Sequence, residues 1–523
     1  MTTAALARGE SRFLSNTASL AVQMAFATIF AFLQVKILAS YLPPDRFGLF
    51  ASLRGFSLLI ATLSSAGLPL LLLRFFPELE AKRRGRTALS LYGLSLAGAL
   101  GLLLLAYLVV GKYQPYFFNF VSREDMTGEL LVWFWITTAG WALKLIAYGG
   151  LNGLRRLSIH AVLDAAALFA QLLWIFLLRF ELSITVLFRI TGVVSLAEAV
   201  LGLGVVLVFL SSQRREGRAG GPEADREERL RFVSYWGWAV GLSVVAVAFT
   251  DVDRYFLSQV ISLEMLALFH IAARVTRLSN RLLGVPNFAF QPEVTRLEAE
   301  GRAEQTLVGI RVFMKFSAAV TVFAAASLIA FAGEILTAVA SAGYTRAAPL
   351  LVLLALAMPL SALTAPLTTV MKALDRVRLA LYCDLIWAGL YVALLFGLCG
   401  RFGLIGAGAA QLIAGAAQLY LAVRLSRQSV KPGFVTGLAA GLSGCAVLTF
   451  APLFIIELVK GWGSIDAVAA GKVVLLGFSA WGYRRLLLAR NLFTEGEQQI
   501  LLEIFARRGL GSLAKFVVGR RRA

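Results

Sequence analysis

The sequence predicts an all-α polytopic membrane protein: about fourteen transmembrane helices, in two pseudo-symmetric six-helix bundles with two additional helices after them. Three observations carry the helical, membrane-spanning class. The 523 residues are 59% hydrophobic and 15% charged, whereas soluble domains run at about 45–50% apolar and about 25% charged. Apolar runs of the roughly 20 residues needed to cross hydrocarbon recur along the whole chain. The basic residues between these runs alternate from rich to poor, as the positive-inside rule requires.

The elements follow in order. Arg8 and Arg12 precede an apolar run from about Ala18 to Leu42, too long for the core of a cleaved signal, so it reads as an uncleaved first span. The expected spans are 16–40, 48–73, 88–111, 130–150, 159–179, 184–210, 232–252, 262–288, 307–331, 347–371, 379–399, 403–423, 434–458 and 465–486. The fourth contains Lys144. The longest polar connection, with Gly220-Gly221-Pro222, divides spans one to six from seven to twelve. The expected organisation is an N-terminal bundle (1–211), a cytoplasmic linker (212–231), a C-terminal bundle (232–424), two further helices (425–490) and a basic tail (491–523). In the tail, Thr494 to Glu497 resembles a capping box, and Ile500, Leu501, Ile504 and Phe505 fall on one helical face before Arg507 and Arg508. That reads as an amphipathic helix on an anionic leaflet, or simply as a basic soluble tail.

Charge sets the topology. Connections rich in Arg and Lys, such as Lys82 to Arg86, Arg214 to Arg231 and Lys372 to Arg378, alternate with poor ones, which places both termini in the cytoplasm. The net charge of +20 is thereby accounted for without nucleic acid as a partner. Cys383, Cys399 and Cys445 lie in apolar runs apart from His160 and His270, so neither a metal nor a cofactor is expected. There is no Gly-x-x-x-x-Gly-Lys-Ser/Thr motif, and no loop long enough for a nucleotide-binding domain.

The charges that remain lie inside apolar segments. Thr250 to Glu293 carries Asp251, Asp253, Arg254, Arg274, Arg277 and Arg281. Arg274, Arg277 and Arg281 are spaced three and four apart, one stripe on a helix. Guanidinium forks suit phosphate oxygens, so this stripe is a candidate grip for an anionic headgroup. Lys36, Arg54, Asp164, Arg189, Glu198 and Asp384 lie in other spans. Ionisable groups at membrane depth are functional candidates. Each also has a structural explanation: Lys36 and Arg189 near span ends can snorkel, and Asp164 and Glu198 can pair with nearby arginines to hold helices together. Lys36, Arg54, Arg254, Arg274, Arg277 and Arg281 nevertheless all come from spans one, two, seven and eight, matching positions of the two halves.

The halves also match weakly in sequence. Gly48-Leu49-Phe50 answers Ala267-Leu268-Phe269, Gly67-Leu68-Pro69 answers Gly284-Val285-Pro286, and Pro77-Glu78 answers Pro292-Glu293, at offsets of 219 to 215 residues. Internal repeats of this kind mark transporters with a site where the repeats meet.

The segments Pro43-Pro44-Asp45-Arg46-Phe47-Gly48-Leu49-Phe50, Gly67-Leu68-Pro69, Arg74-Phe75-Phe76-Pro77-Glu78, Asp253-Arg254, Gly343-Tyr344 and Leu374-Asp375-Arg376, in this order, resemble the multidrug/oligosaccharidyl-lipid/polysaccharide flippase superfamily, in its polysaccharide-unit branch. The resemblance covers spans one to twelve. It implies two six-helix bundles around a central cavity that opens to each side alternately. It implies a transporter, not an enzyme, in the bacterial inner membrane. The implied substrate is a polyprenyl-diphosphate-linked oligosaccharide, taken from among membrane lipids and passed to partners such as a polysaccharide polymerase. Lys36, Arg54, Arg254, Arg274, Arg277 and Arg281 would then bind the substrate, with Asp164, Glu198, Asp251 and Asp253 as candidates for ion coupling. Fourteen spans instead of twelve, and Phe269-His270 where a Gly-Tyr-like pair is common, depart from that branch. A cation-coupled drug antiporter of the same superfamily is the alternative, although the first span offers Lys36 and no acid. A membrane polymerase or ligase is disfavoured, because the longest outer loop, 111–129, is short and lacks His.

Overall fold

A computed structural model describes residues 29–81, 84–119, 127–154, 156–216, 253–283, 303–373, 377–426, 432–458 and 465–489, with parts of 230–241 and 492–498. The regular structure among the described residues is helical. Nine of the described helices are long and apolar enough to cross a membrane. The protein is an all-α polytopic membrane protein, as its composition predicts. The described residues form two compact units, one within Val22–His270 and one within Ile271–Ala523.

In the first unit, α1 runs over Ile29–Tyr41. It is followed by α2 (Pro44–Ser65), α3 (Leu68–Ala81), α4 (Gly85–Lys112), the single turn α5 (Gln114–Phe117), α6 (Gly128–Gly153), α7 (Leu157–Leu177) and α8 (Ile184–Glu216). The short α9 (Asp253–Leu257) and the start of α10 (Leu263–Leu283) complete it. Pro44 opens α2 at a position where a missing N–H costs nothing. Thr127 caps α6, accepting from the Leu130 amide at 3.1 Å. Only 17% of the residues in the most apolar stretches of α4 and α7 are buried, and these helices present Leu104, Leu105, Leu108 and Phe169 outward as lipid-facing helices do.

The sequence predicts one span over 48–73, and here the structure differs. Ala66 and Gly67 adopt left-handed backbone, with φ of 41° and 76°, and divide α2 from α3. The indole of Trp236 donates to the Ala66 carbonyl at 2.8 Å, satisfying a group the break frees. Glycine is required at 67 twice over, because a Cβ would also lie 2.3 Å from the Ala239 carbonyl oxygen. Gly48 has a different reason: a Cβ there would lie 1.8 Å from the Leu263 carbonyl oxygen, so it lets α2 meet the start of α10 backbone to backbone. The core of this unit gathers Leu68, Leu72, Phe76, Tyr92, Leu151 and Phe232. Phe56 stacks on Tyr255 of α9 with ring centroids 4.4 Å apart.

The second unit holds the rest of α10, then α11 (Ala303–Ala330), α12 (Ala332–Val339), a 3-10 turn at Ala342–Ala347, α13 (Ala348–Ala373), α14 (Val377–Leu425), α15 (Pro432–Leu458) and α16 (Ile465–Ala489). The expected spans 379–399 and 403–423 are both in α14, whose 49 residues bend where Gly403 takes φ 54°. The last two helices are integral to this unit's core: Leu442, Cys445 and Phe450 of α15 and Tyr483 and Leu487 of α16 pack with Phe316 and Ala319 of α11. Tyr483 donates to the Ala319 carbonyl at 3.0 Å. Most of span seven, the second-half repeat motifs after Leu283 and the amphipathic tail reading lie outside the described residues.

Candidate functional site

Packing of α6 against α7 and α8 brings together three charges from three apolar helices. Lys144 Nζ lies 3.0 Å from Asp164 Oδ1 and 2.8 Å from Glu198 Oε1. Tyr148, one turn beyond Lys144, donates its hydroxyl to that same Glu198 oxygen. The Tyr148 ring lies against His160, whose Nδ1 is 2.8 Å from Asn152 Oδ1. The Glu198 side chain is 4% exposed and that of Asp164 13%. Carboxylates this deep persist in charged form only against a partner, and one lysine serves both.

A cavity of ≈ 230 Å³ opens beside this cluster. Lys144 and Glu198 line it together with Arg54 of α2, Trp141 of α6, Gln171 of α7 and Thr191 of α8. The Arg54 guanidinium sits 5.7 Å from the centre of the Trp141 ring. Gln171 donates to Thr191 Oγ1 at 2.8 Å.

The candidates from sequence are distributed as follows. Asp164 and Glu198 come together, and Arg54 shares the cavity with Glu198. Both acids are held by Lys144, a lysine where the sequence suggested arginines. Lys36 is exposed on α1. Asp253 and Arg254 are almost wholly buried in α9, at 3% and 1% exposure. Arg274, Arg277 and Arg281 share α10 and fall within the second unit, so the described geometry does not gather them with Arg54. Arg274 and Arg277 are half-buried. Asp251 lies outside the described residues, as does the side chain of Arg281. Arg189 pairs with Glu129 at the surface, and Asp384 accepts from Gln418 at 3.0 Å.

Lys144 is the residue that sequence reasoning missed. A lone lysine in one apolar span and a lone acid in each of the next two was the available signal, since such charges must cancel among neighbouring helices.

No protein-family profile and no curated protein matches the sequence. Solved structures do match. One described as the lipid II flippase MurJ in an inward closed conformation aligns over 90% of this chain and 98% of its own, with a TM-score of 0.68 and 14% identity. An outward-facing multidrug resistance MATE family transporter of the MOP superfamily aligns over 81% of this chain and 96% of its own, with a TM-score of 0.56 and 13% identity. A Vibrio cholerae MATE transporter aligns over 80% of this chain and 99% of its own, with a TM-score of 0.53 and 17% identity. Identity at this level speaks for architecture alone. The chain therefore has the fold of the multidrug/oligosaccharidyl-lipid/polysaccharide superfamily.

Proposed function

We propose that this protein is a flippase for polyprenyl-diphosphate-linked oligosaccharides of the bacterial inner membrane, working by alternating access and leaving its substrate chemically unchanged. The observation that supports this best is the arginine stripe of α10, with Arg274, Arg277 and Arg281 spaced three and four apart on one helix. A diphosphate carries charge that hydrocarbon rejects, and guanidinium forks replace its lost hydration with paired hydrogen bonds. Lys36, Arg54 and Arg254 are the substrate-binding candidates of the first unit. Asp164, Glu198, Asp251 and Asp253 are the groups through which ion coupling would run. The likeness to a lipid II flippase agrees with a lipid-linked substrate. The product would pass to a polysaccharide polymerase or a similar assembly enzyme.

A cation-coupled drug antiporter is the second reading. The MATE likeness favours it, and so do two buried acids on adjacent helices.

Deleting the gene separates the two. Single lipid-linked repeat units confined to the cytoplasmic face support the flippase, and unchanged lipids with new drug sensitivity support the antiporter. Re-expressing Arg277→Glu is expected to leave the units trapped while the protein remains in the membrane at wild-type level. Full rescue by that variant removes Arg277 from the substrate path.

A further inference from the structure

Resting on the flippase reading, we infer that the cavity among α2, α6, α7 and α8 is a pocket for one uncharged sugar ring of the substrate, and that it sets which saccharide the protein accepts. Charge is the first argument. Arg54 and Lys144 bring two positive charges to this region, and Asp164 and Glu198 bring two negative ones. The sum is zero, and Lys144 is already held by both acids. A diphosphate placed here would meet Glu198 with no excess of positive charge among these four groups.

Size is the second argument. At ≈ 230 Å³ the cavity falls below the roughly 300 Å³ at which pockets begin to take drug-sized ligands. A single ring fits that bound and an oligosaccharide or a typical drug does not. The lining is the third. A sugar ring offers an apolar face of C–H groups and a rim of hydroxyls that each donate and accept. Trp141 supplies an aromatic surface. Thr191 accepts from Gln171, which leaves its own hydroxyl proton to give and the Gln171 carbonyl oxygen to receive. Ser195 donates to the Gly192 carbonyl at 3.2 Å and keeps its lone pairs. The lining thus joins an aromatic surface to groups that can donate and accept.

The test uses the full-length protein in nanodiscs and native mass spectrometry. It compares two probes: undecaprenyl diphosphate, and the lipid-linked saccharide fraction extracted from the host's own membranes. Wild type is expected to prefer the saccharide-bearing lipid. Thr191→Val, nearly the same shape without the hydroxyl, is expected to lose roughly 3- to 10-fold in that preference. Trp141→Leu is expected to lose at least as much, and Trp141→Phe to recover most of it. Binding of undecaprenyl diphosphate itself stays unchanged in all three variants. Wild-type preference retained in Thr191→Val and Trp141→Leu overturns the pocket while leaving the flippase reading intact. Equal weakening toward both probes in Thr191→Val overturns it as well, and so does a wild type that shows no preference. A wild type that binds neither lipid overturns the flippase reading, and the pocket with it.

Discussion

Each unit contains a lysine held by acid within apolar helices, and the two are built differently. In the first, Lys144 is 23% exposed, serves two acids and borders a cavity. In the second, Lys472 of α16 is wholly buried. It pairs with Glu334 at 2.7 Å and donates to the Ala330 carbonyl at 3.0 Å. Ala330 is the last residue of α11, so Lys472 places a cation on a helix C-terminus whose carbonyls lack intrahelical partners. The same charge type is thus a cavity wall in one unit and a helix-end clamp in the other. The contrast shows that depth alone does not mark a functional charge. What distinguishes the two lysines is the accessible polar space beside the first.

Three substitutions would break or sharpen this contrast. The largest effect is expected for Lys144→Met, which strands two acids side by side. Removing one partner of a buried pair costs about 3–5 kcal/mol, and here two partners lose it. Thermal unfolding in detergent should show the largest drop of the series, and adding Asp164→Asn and Glu198→Gln should recover stability without recovering transport. If transport returns with stability, the cluster is structural like its counterpart. Lys472→Met comes next, at about 3 kcal/mol, because it strands one acid that is 24% exposed and one helix end. There the double change with Glu334→Gln should restore stability and transport together. Arg189→Ala, which opens the surface pair with Glu129, is expected to cost about 0.2–1 kcal/mol and to leave transport unchanged. A larger loss would show that exposure is a poor guide to the weight of an ion pair here.

The spans were legible where hydrophobic length decides. The runs predicted at 88–111, 130–150 and 159–179 correspond to α4, α6 and α7 within a few residues. The break at Ala66–Gly67 was less so: Gly67 and Pro69 stood inside the apolar run as a place to bend, but the Trp236 and Ala239 contacts that fix it come from 170 or more positions on. The glycine of Gly48-Leu49-Phe50 was visible as a motif, but its reason, the Leu263 carbonyl, belongs to tertiary structure. Among site residues, Asp164 and Glu198 stood out as acids inside apolar spans. Lys144 was visible in the fourth span but not as their partner, since it precedes them by 20 and 54 positions and only the packing of α6 on α7 and α8 makes the three neighbours. Lys472 lies in the predicted fourteenth span, yet its role rests on a helix end 142 residues earlier.

These separations also set a schedule for biosynthesis. Asp164 follows Lys144 by 20 residues, so the first cluster begins to close almost as soon as its helices leave the ribosome. In the second unit Lys315 of α11 is held at 2.8 Å by Glu497, which follows α16, and that partner is translated 182 residues later. At about 5–20 residues per second the wait is roughly 10 to 40 s. During that interval the nascent second half carries an unmatched ammonium group among its helices. The second half thus waits longer than the first for its buried charge to be matched.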